Sequence, residues 1–131
     1  MNPQAATIQD IERVVLDVPF HPRCAEAMTV YGNGWSVVEL CKVTTASGVV
    51  GVGETIQGYT WKHSTDAEFE RVRGKNLFDF LWDDSLGAGL QMALFDAAGK
   101  LVGVPCHRLM GPQVREAVPL SWWAQSMAPA A

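Results

Sequence analysis

At 131 residues, 48% hydrophobic and 18% charged, the chain suits one compact domain with its own core and excludes both long disordered tracts and a large enzyme barrel. A formal net charge of −4, with ten Lys and Arg against fourteen Asp and Glu, leaves no basic footprint for a phosphate backbone or anionic lipid, so neither nucleic acid nor a membrane is expected as partner. No apolar run is long enough for a membrane span, and the opening MNPQAATIQDIERVV lacks the pattern of a signal peptide; a cytoplasmic protein is expected. Cys24, Cys41 and Cys106 form no close pair, which suits reduced, mostly buried thiols.

From Thr7 to Phe20 the pattern predicts a first strand, with Val14, Leu16, Val18 and Phe20 on one face and Arg13 and Asp17 on the other. Pro19, Pro22 and the Gly32-Asn33-Gly34 cluster bound an irregular segment, 19-PFHPRCAEAMTVYGNG-34, long enough to be functional. A second strand, 35-WSVVELCKVTT-45, closes at the Ser47-Gly48 turn, and a third runs through 49-VVGVGET-55, completing an antiparallel meander. A further loop, 56-IQGYTWKHST-65, offers Ser64, Thr65 and Asp66 as caps for a helix over Ala67 to Val72, which Arg73-Gly74-Lys75 ends. The stretch 76-NLFDFLWDD-84 is read as a short helical turn.

A long helix is predicted from an N-cap near Ser85 to Gly103, with Pro105 where a helix cannot continue. Leu86, Leu90, Leu94, Ala97 and Leu101 form one apolar stripe, the face a helix turns to a sheet. Ala88, Met92, Phe95, Gly99 and Val102 make the opposite side apolar as well, the pattern of a helix held between two layers. Only 112-PQVREAVPLSWWAQSMAPAA-131 follows, with 118-VPLSWWA-124 as one buried strand. The expected cover is therefore a partner, either the rest of a longer polypeptide or a second subunit in a homo-oligomer.

The order of elements, with 48-GVVGVGET-55, 93-ALFDAAGKLVGVPCHRLMG-111 and 118-VPLSWW-123, resembles the N-terminal capping domain of the mandelate racemase and muconate lactonizing enzyme branch of the enolase superfamily. The D-x-x-G-K-x-x-G-x-P signature followed by L-x-G is the specific part; G-x-G-E alone is weak. The resemblance implies an α+β fold, a three-stranded antiparallel meander on a small helical bundle. Residues 1–115 would be the capping domain, and 116–131 the start of a (β/α)₇β barrel whose first strand is 118–124. It also implies that the full-length enzyme abstracts a proton α to a carboxylate with the help of Mg²⁺, as a racemase, epimerase or acid-sugar dehydratase acting on a small carboxylate such as a sugar acid. The metal ligands and the acid and base belong to later barrel strands, so no position here inherits a catalytic or metal role, and the fragment is expected to be inactive. The loops at 19–34 and 56–64 would cover the barrel mouth. His21, Arg23, Tyr59 and Trp61 are the candidate substrate contacts, chosen by chemistry and loop position.

Each candidate has a plainer reading: Arg23 as a solvated cation, His21 as a surface imidazole, Tyr59 and Trp61 as loop anchors. Glu54 is expected to hydrogen-bond loop backbone. Glu39 could pair with Lys42 or Arg13, and Asp96 with Lys100 at i,i+4 spacing, without chemistry. His21, Cys24, Cys41, Cys106 and His107 could suggest a soft-metal module, but they lack paired ligand spacing. The glycines of 48–55 lack a phosphate-loop Lys and fit hairpin geometry and close packing. A non-catalytic, stand-alone binding or oligomerisation domain is the alternative from another functional class.

Overall fold

A computed structural model describes residues 3–31, 34–58 and 62–121. Strands β1 (Ile8–Asp17), β2 (Val37–Thr45) and β3 (Val50–Ile56) form an antiparallel meander in that order, and helix α3 (Ala88–Val102) lies across its inner face. Helix α1 (Pro22–Tyr31) joins β1 to β2, while α2 (Asp66–Val72) and short 3₁₀ turns at Leu77–Phe80 and Asp84–Leu86 lead from β3 to α3. The fold is the expected α+β meander with a small group of helices.

The β2–β3 turn forms at Ser47-Gly48 as predicted, because Gly48 adopts φ +82° and Thr45 holds Val49 through both backbone and hydroxyl. Thr65 starts α2 in a capping box with Glu68, and Gly74 follows the helix at φ +75°. The long helix departs from expectation at its start. Gly87, at φ +84°, is its N-cap, whereas Ser85 sits in the preceding 3₁₀ turn held by Asp83. Its end is as read: Gly103 is left-handed at φ +70° and Pro105 caps the next 3₁₀ turn, Cys106–Leu109.

Strand β1 holds the main surprise. The pairing register shifts between Ile8 and Asp10, and the extra residue, Gln9, lets Ile8 and Ile11 both point into the core. Beyond the bulge Val14 and Leu16 share one face and Arg13 and Asp17 the other, as predicted, but the aliphatic face is the outer one. Val14 and Leu16 pair with Leu40 and Val38 on the outer face, 44% and 41% exposed, and Val18 lies beyond the strand and is also exposed. Alternation could show that the faces differ, but not which of them was inward.

The core gathers Ile8, Ile11, Cys41, Val43, Phe69, Val72, Leu77, Leu81, Leu86, Leu90 and Leu94. Helix and sheet approach so closely that a Cβ on Gly51 would fall 2.1 Å from the Ala93 carbonyl oxygen, and one on Gly53 the same distance from that of Gly89. The G-x-G of β3 is thus a contact surface for a helix backbone. The D-x-x-G-K signature also has a physical reading. Asp96 accepts from the Val52 N–H at 2.8 Å, and Lys100 donates to the Val50 carbonyl at 2.8 Å and to Asp96 at 2.6 Å. The pair satisfies backbone groups that an edge strand would otherwise leave open. Gly99 lets the chain fold back, since a Cβ there would lie 2.7 Å from the Val104 carbonyl oxygen.

The second face of α3 is only partly uncovered. Phe95, 6% exposed, lies under the edge of Trp82 with ring centroids 5.1 Å apart, and Gly99 is buried against the 104–106 segment. Met92 and Val102 remain exposed, as expected for a face awaiting a partner. Met92 borders an open groove of about 470 Å³, lined also by Val52, Trp82, Phe95, Cys106 and Met110, with Asp84, Gln91 and Asp96 as its polar residues. Residues Val118–Ser121 are exposed and form no strand, and 122–124 of the predicted strand lie outside the described residues.

Candidate functional site

Two connections leave the same end of the sheet. Val18 N–H donates to Ser36 O at 2.8 Å across the roots of the first, and Gln57 N–H donates to Val37 O at 3.0 Å at the start of the second. A Cβ on Gly34 would lie 3.9 Å from Gly58 Cα, so the connections run side by side.

The first is helical where an irregular segment was predicted. Pro22 fits the first turn of α1, where no N–H partner is needed, and the A-E-A-M run has high helix propensity. His21 begins the helix: its Nδ1 accepts from the Arg23 N–H at 3.3 Å, and its carbonyl accepts from Cys24 and Ala25 at 2.8 and 3.1 Å. A neutral imidazole accepting at Nδ1 carries its proton on Nε2, which becomes the available donor. Arg23, one residue inside the helix, is exposed, and its guanidinium forms no ion pair among the described residues. These neighbours present a donor and a cation at the loop-bearing end. Tyr59 and Trp61, the other two candidates, lie outside the described residues.

The second connection rests on a polar network that sequence reasoning largely missed. Glu39, 5% exposed, projects from the inner face of β2. Its carboxylate lies 3.4 Å from Arg13 Nε and 3.5 Å from the Gln57 amide nitrogen. Arg13 also reaches Asp66 at 3.0 Å and the Ser64 carbonyl at 2.5 Å, and its guanidinium stacks 4.7 Å from the Phe69 ring centroid. His63 Nε2 meets the Gln57 carbonyl at 2.9 Å, Ser64 Oγ donates to Leu86 O at 2.6 Å, and Lys62 donates to the Ser85 carbonyl. Arg13 and Glu39 were visible as one pairing option, while Lys42 pairs with Glu12 on the outer face at 2.7 Å. A polar residue inside an apolar strand is the signal that marks Glu39.

Electrostatics follow these contacts. Burial, with the Glu39 charge in second place, pushes the Cys41 thiol up to about 12, so it is a packing group rather than a nucleophile. Hydrogen bonds from Thr65 and from Lys62 hold Glu68 down to about 2, and those from Ser85 and Arg71 hold Asp83 down to about 2. Glu54 points from the outer face, is exposed, and has no partner among the described residues, contrary to the expected loop anchor. Among the described residues no three His, Cys, Asp or Glu side chains converge on a common point. The donors among the described residues therefore offer Mg²⁺ no shared site, and of the soft-metal candidates His21 and Cys24 stand at the start of α1, Cys41 in β2, and Cys106 and His107 on the last 3₁₀ turn. No helix among the described residues is long and apolar enough to cross a membrane.

No family model matches the chain. It is 30% identical to muconate cycloisomerase 1-1 of Acinetobacter lwoffii over 90% of its own length and 36% of that protein's. Among solved structures, muconate cycloisomerase from Pseudomonas fluorescens superposes with a TM-score of 0.61 at 22% identity, over 90% of this chain and 35% of the other. A Burkholderia xenovorans structure, described as that of an L-alanine-DL-glutamate epimerase and bound to magnesium and fumarate, gives 0.56 at 21% identity over 87% and 29%. The chain thus spans about a third of the length of the proteins it matches.

Proposed function

We propose, from the premise that the chain's relatives are muconate cycloisomerases of the mandelate racemase and muconate lactonizing enzyme family in the enolase superfamily, that it is the substrate-capping and specificity domain of such an enzyme. Residues 1–115 form the cap, and residues 116–131 lead into a barrel domain of the same polypeptide. The whole enzyme acts in the cytoplasm on a small carboxylate, with Mg²⁺-dependent handling of the α-proton as racemase, epimerase, acid-sugar dehydratase or, as the relatives' names add, cycloisomerase. The ion and the acid and base are held by the barrel, and this chain alone is inactive.

The observation carrying this reading is the match itself, which runs along most of this chain but about a third of each relative. Two features of the molecule support it. The two connections leave one end of the sheet side by side, where Arg23 can neutralise a carboxylate and His21 can donate a hydrogen bond to it. Tyr59 and Trp61 belong to the same proposal through their position in the sequence. The groove beside Met92, Trp82 and Met110 is apolar and open, and Met110 stands where the chain leaves toward residue 116, so the barrel is the cover that the reading assigns to it.

The test joins residues 1–115 to the barrel of a related muconate cycloisomerase in place of that enzyme's own capping segment. Turnover with Mg²⁺ should persist, with KM rising about tenfold in the Arg23→Ala variant while kcat changes little. The 131-residue chain should not exchange a substrate α-proton with solvent deuterium. Exchange by the chain alone, or a KM indifferent to both loops, would defeat the proposal.

A further inference from the structure

We infer that Glu39 is a positioning residue whose one buried carboxylate locks together both roots of the connection between β3 and α2. Gln57, the first residue after β3, brings its side-chain amide to Glu39 Oε2 at 3.5 Å, the outer limit of hydrogen bonding. Arg13 brings its Nε to the same oxygen at 3.4 Å and holds the far root through the Ser64 carbonyl at 2.5 Å and Asp66 at 3.0 Å. The roots also touch directly, through His63 Nε2 and the Gln57 carbonyl at 2.9 Å.

The physical reason for the coupling is the cost of burial. A carboxylate 5% exposed on the inner face of a central strand must keep its partners, because an unpaired buried charge is far more expensive than an unpaired surface one. Neither root can withdraw without increasing the demand on the other. The elements packed against Glu39 contribute Arg13 from β1, Gln57 after β3 and Asp66 at the start of α2, and Arg13 alone among these is cationic. The core needs no such group, since an aliphatic side chain at position 39 would fill the same inner face beside Cys41 and Val43. What the carboxylate adds is a fixed relation between two chain segments, so its role concerns the connection rather than the fold.

Amide hydrogen exchange on the 131-residue chain tests this. In Glu39→Leu, the amides of Gln57 and Thr65, which donate to Val37 O and Glu68 Oε2 at the two roots, should exchange roughly tenfold to a hundredfold faster, the range expected for a lost charged hydrogen bond. Cys41, Val43 and Val52 should keep their protection, and Glu39→Gln should restore most of the slow exchange at the roots. Gln57→Ala, a change at an exposed position that keeps the fold safe, carries the decisive result. It should accelerate exchange at Thr65, across the connection, as well as at its own amide. Root and core amides accelerating together in Glu39→Leu would overturn the inference, as would a Gln57→Ala effect confined to its own root.

Discussion

The interface between α3 and β3 and the loop-bearing end of the sheet are built on opposite principles. At the interface, Gly51 and Gly53 remove side chains so that two backbones can touch, and the Asp96–Lys100 pair closes the strand edge. At the other end, Arg13, Glu39, Gln57 and Asp66 keep segments in place with long polar side chains. Contact between backbones admits almost no change of residue, because every added atom collides. Polar tethers work through long side chains that can adjust, so the roots of a connection tolerate change better than a contact between backbones does.

If that contrast is correct, the largest effect should come from Gly53→Ala. Its new Cβ would need space 2.1 Å from the Gly89 carbonyl oxygen, and we expect a loss of about 3 kcal/mol or more in urea unfolding. Next comes Arg13→Ala, which leaves Glu39 buried without its cation; because Arg13 is partly exposed, about 2 kcal/mol is expected rather than the full value for a deep pair. Asp96→Ala removes the acceptor of the Val52 N–H, for about 1 kcal/mol and faster exchange of that amide. A titration separates the two regions further. Glu68 and Asp83 are depressed to about 2 in the fold from ordinary values of 4.5 and 3.8, so their contributions are complete above those ordinary values and disappear as pH falls toward 2. Thermal unfolding between pH 5 and pH 2, roughly, should show a shallower decline in Glu68→Gln. Met92→Gln should be smallest, within about 0.5 kcal/mol, because that side chain is 49% exposed; a larger loss would mean that the groove is covered by this chain itself.

Local chemistry was legible from the residues wherever one residue decides one geometry. Gly48, Thr65, Gly74 and Gly103 each announce a turn or cap, and all four serve as read. The helical stripe from Leu86 to Ala97 likewise names its own core face. What could not be read depended on a neighbour far away in the chain. The inward side of β1 depends on a bulge visible only against β2, and the shelter of Phe95 on where Trp82 folds. Helix α1 was hidden because Pro22 and the flanking Pro19, Gly32 and Gly34 suggested a loop, although Pro22 occupies the one turn where proline is welcome. At the candidate site, His21 and Arg23 proved to be sequence neighbours joined at a helix start. The network under Glu39 joins residues 13, 39, 57 and 66 and has no local signature.

Gln9 sets the phase of everything after it in β1. With that residue instead paired in the ladder and the bulge flattened, every later residue would slip by one, Val14 and Leu16 would swing toward the helices, and Arg13 would be carried into solvent, away from Glu39. A single amino acid held outside the pairing near the beginning of the chain therefore preserves which aliphatic side chains meet water and keeps an arginine within reach of a connection some fifty positions downstream.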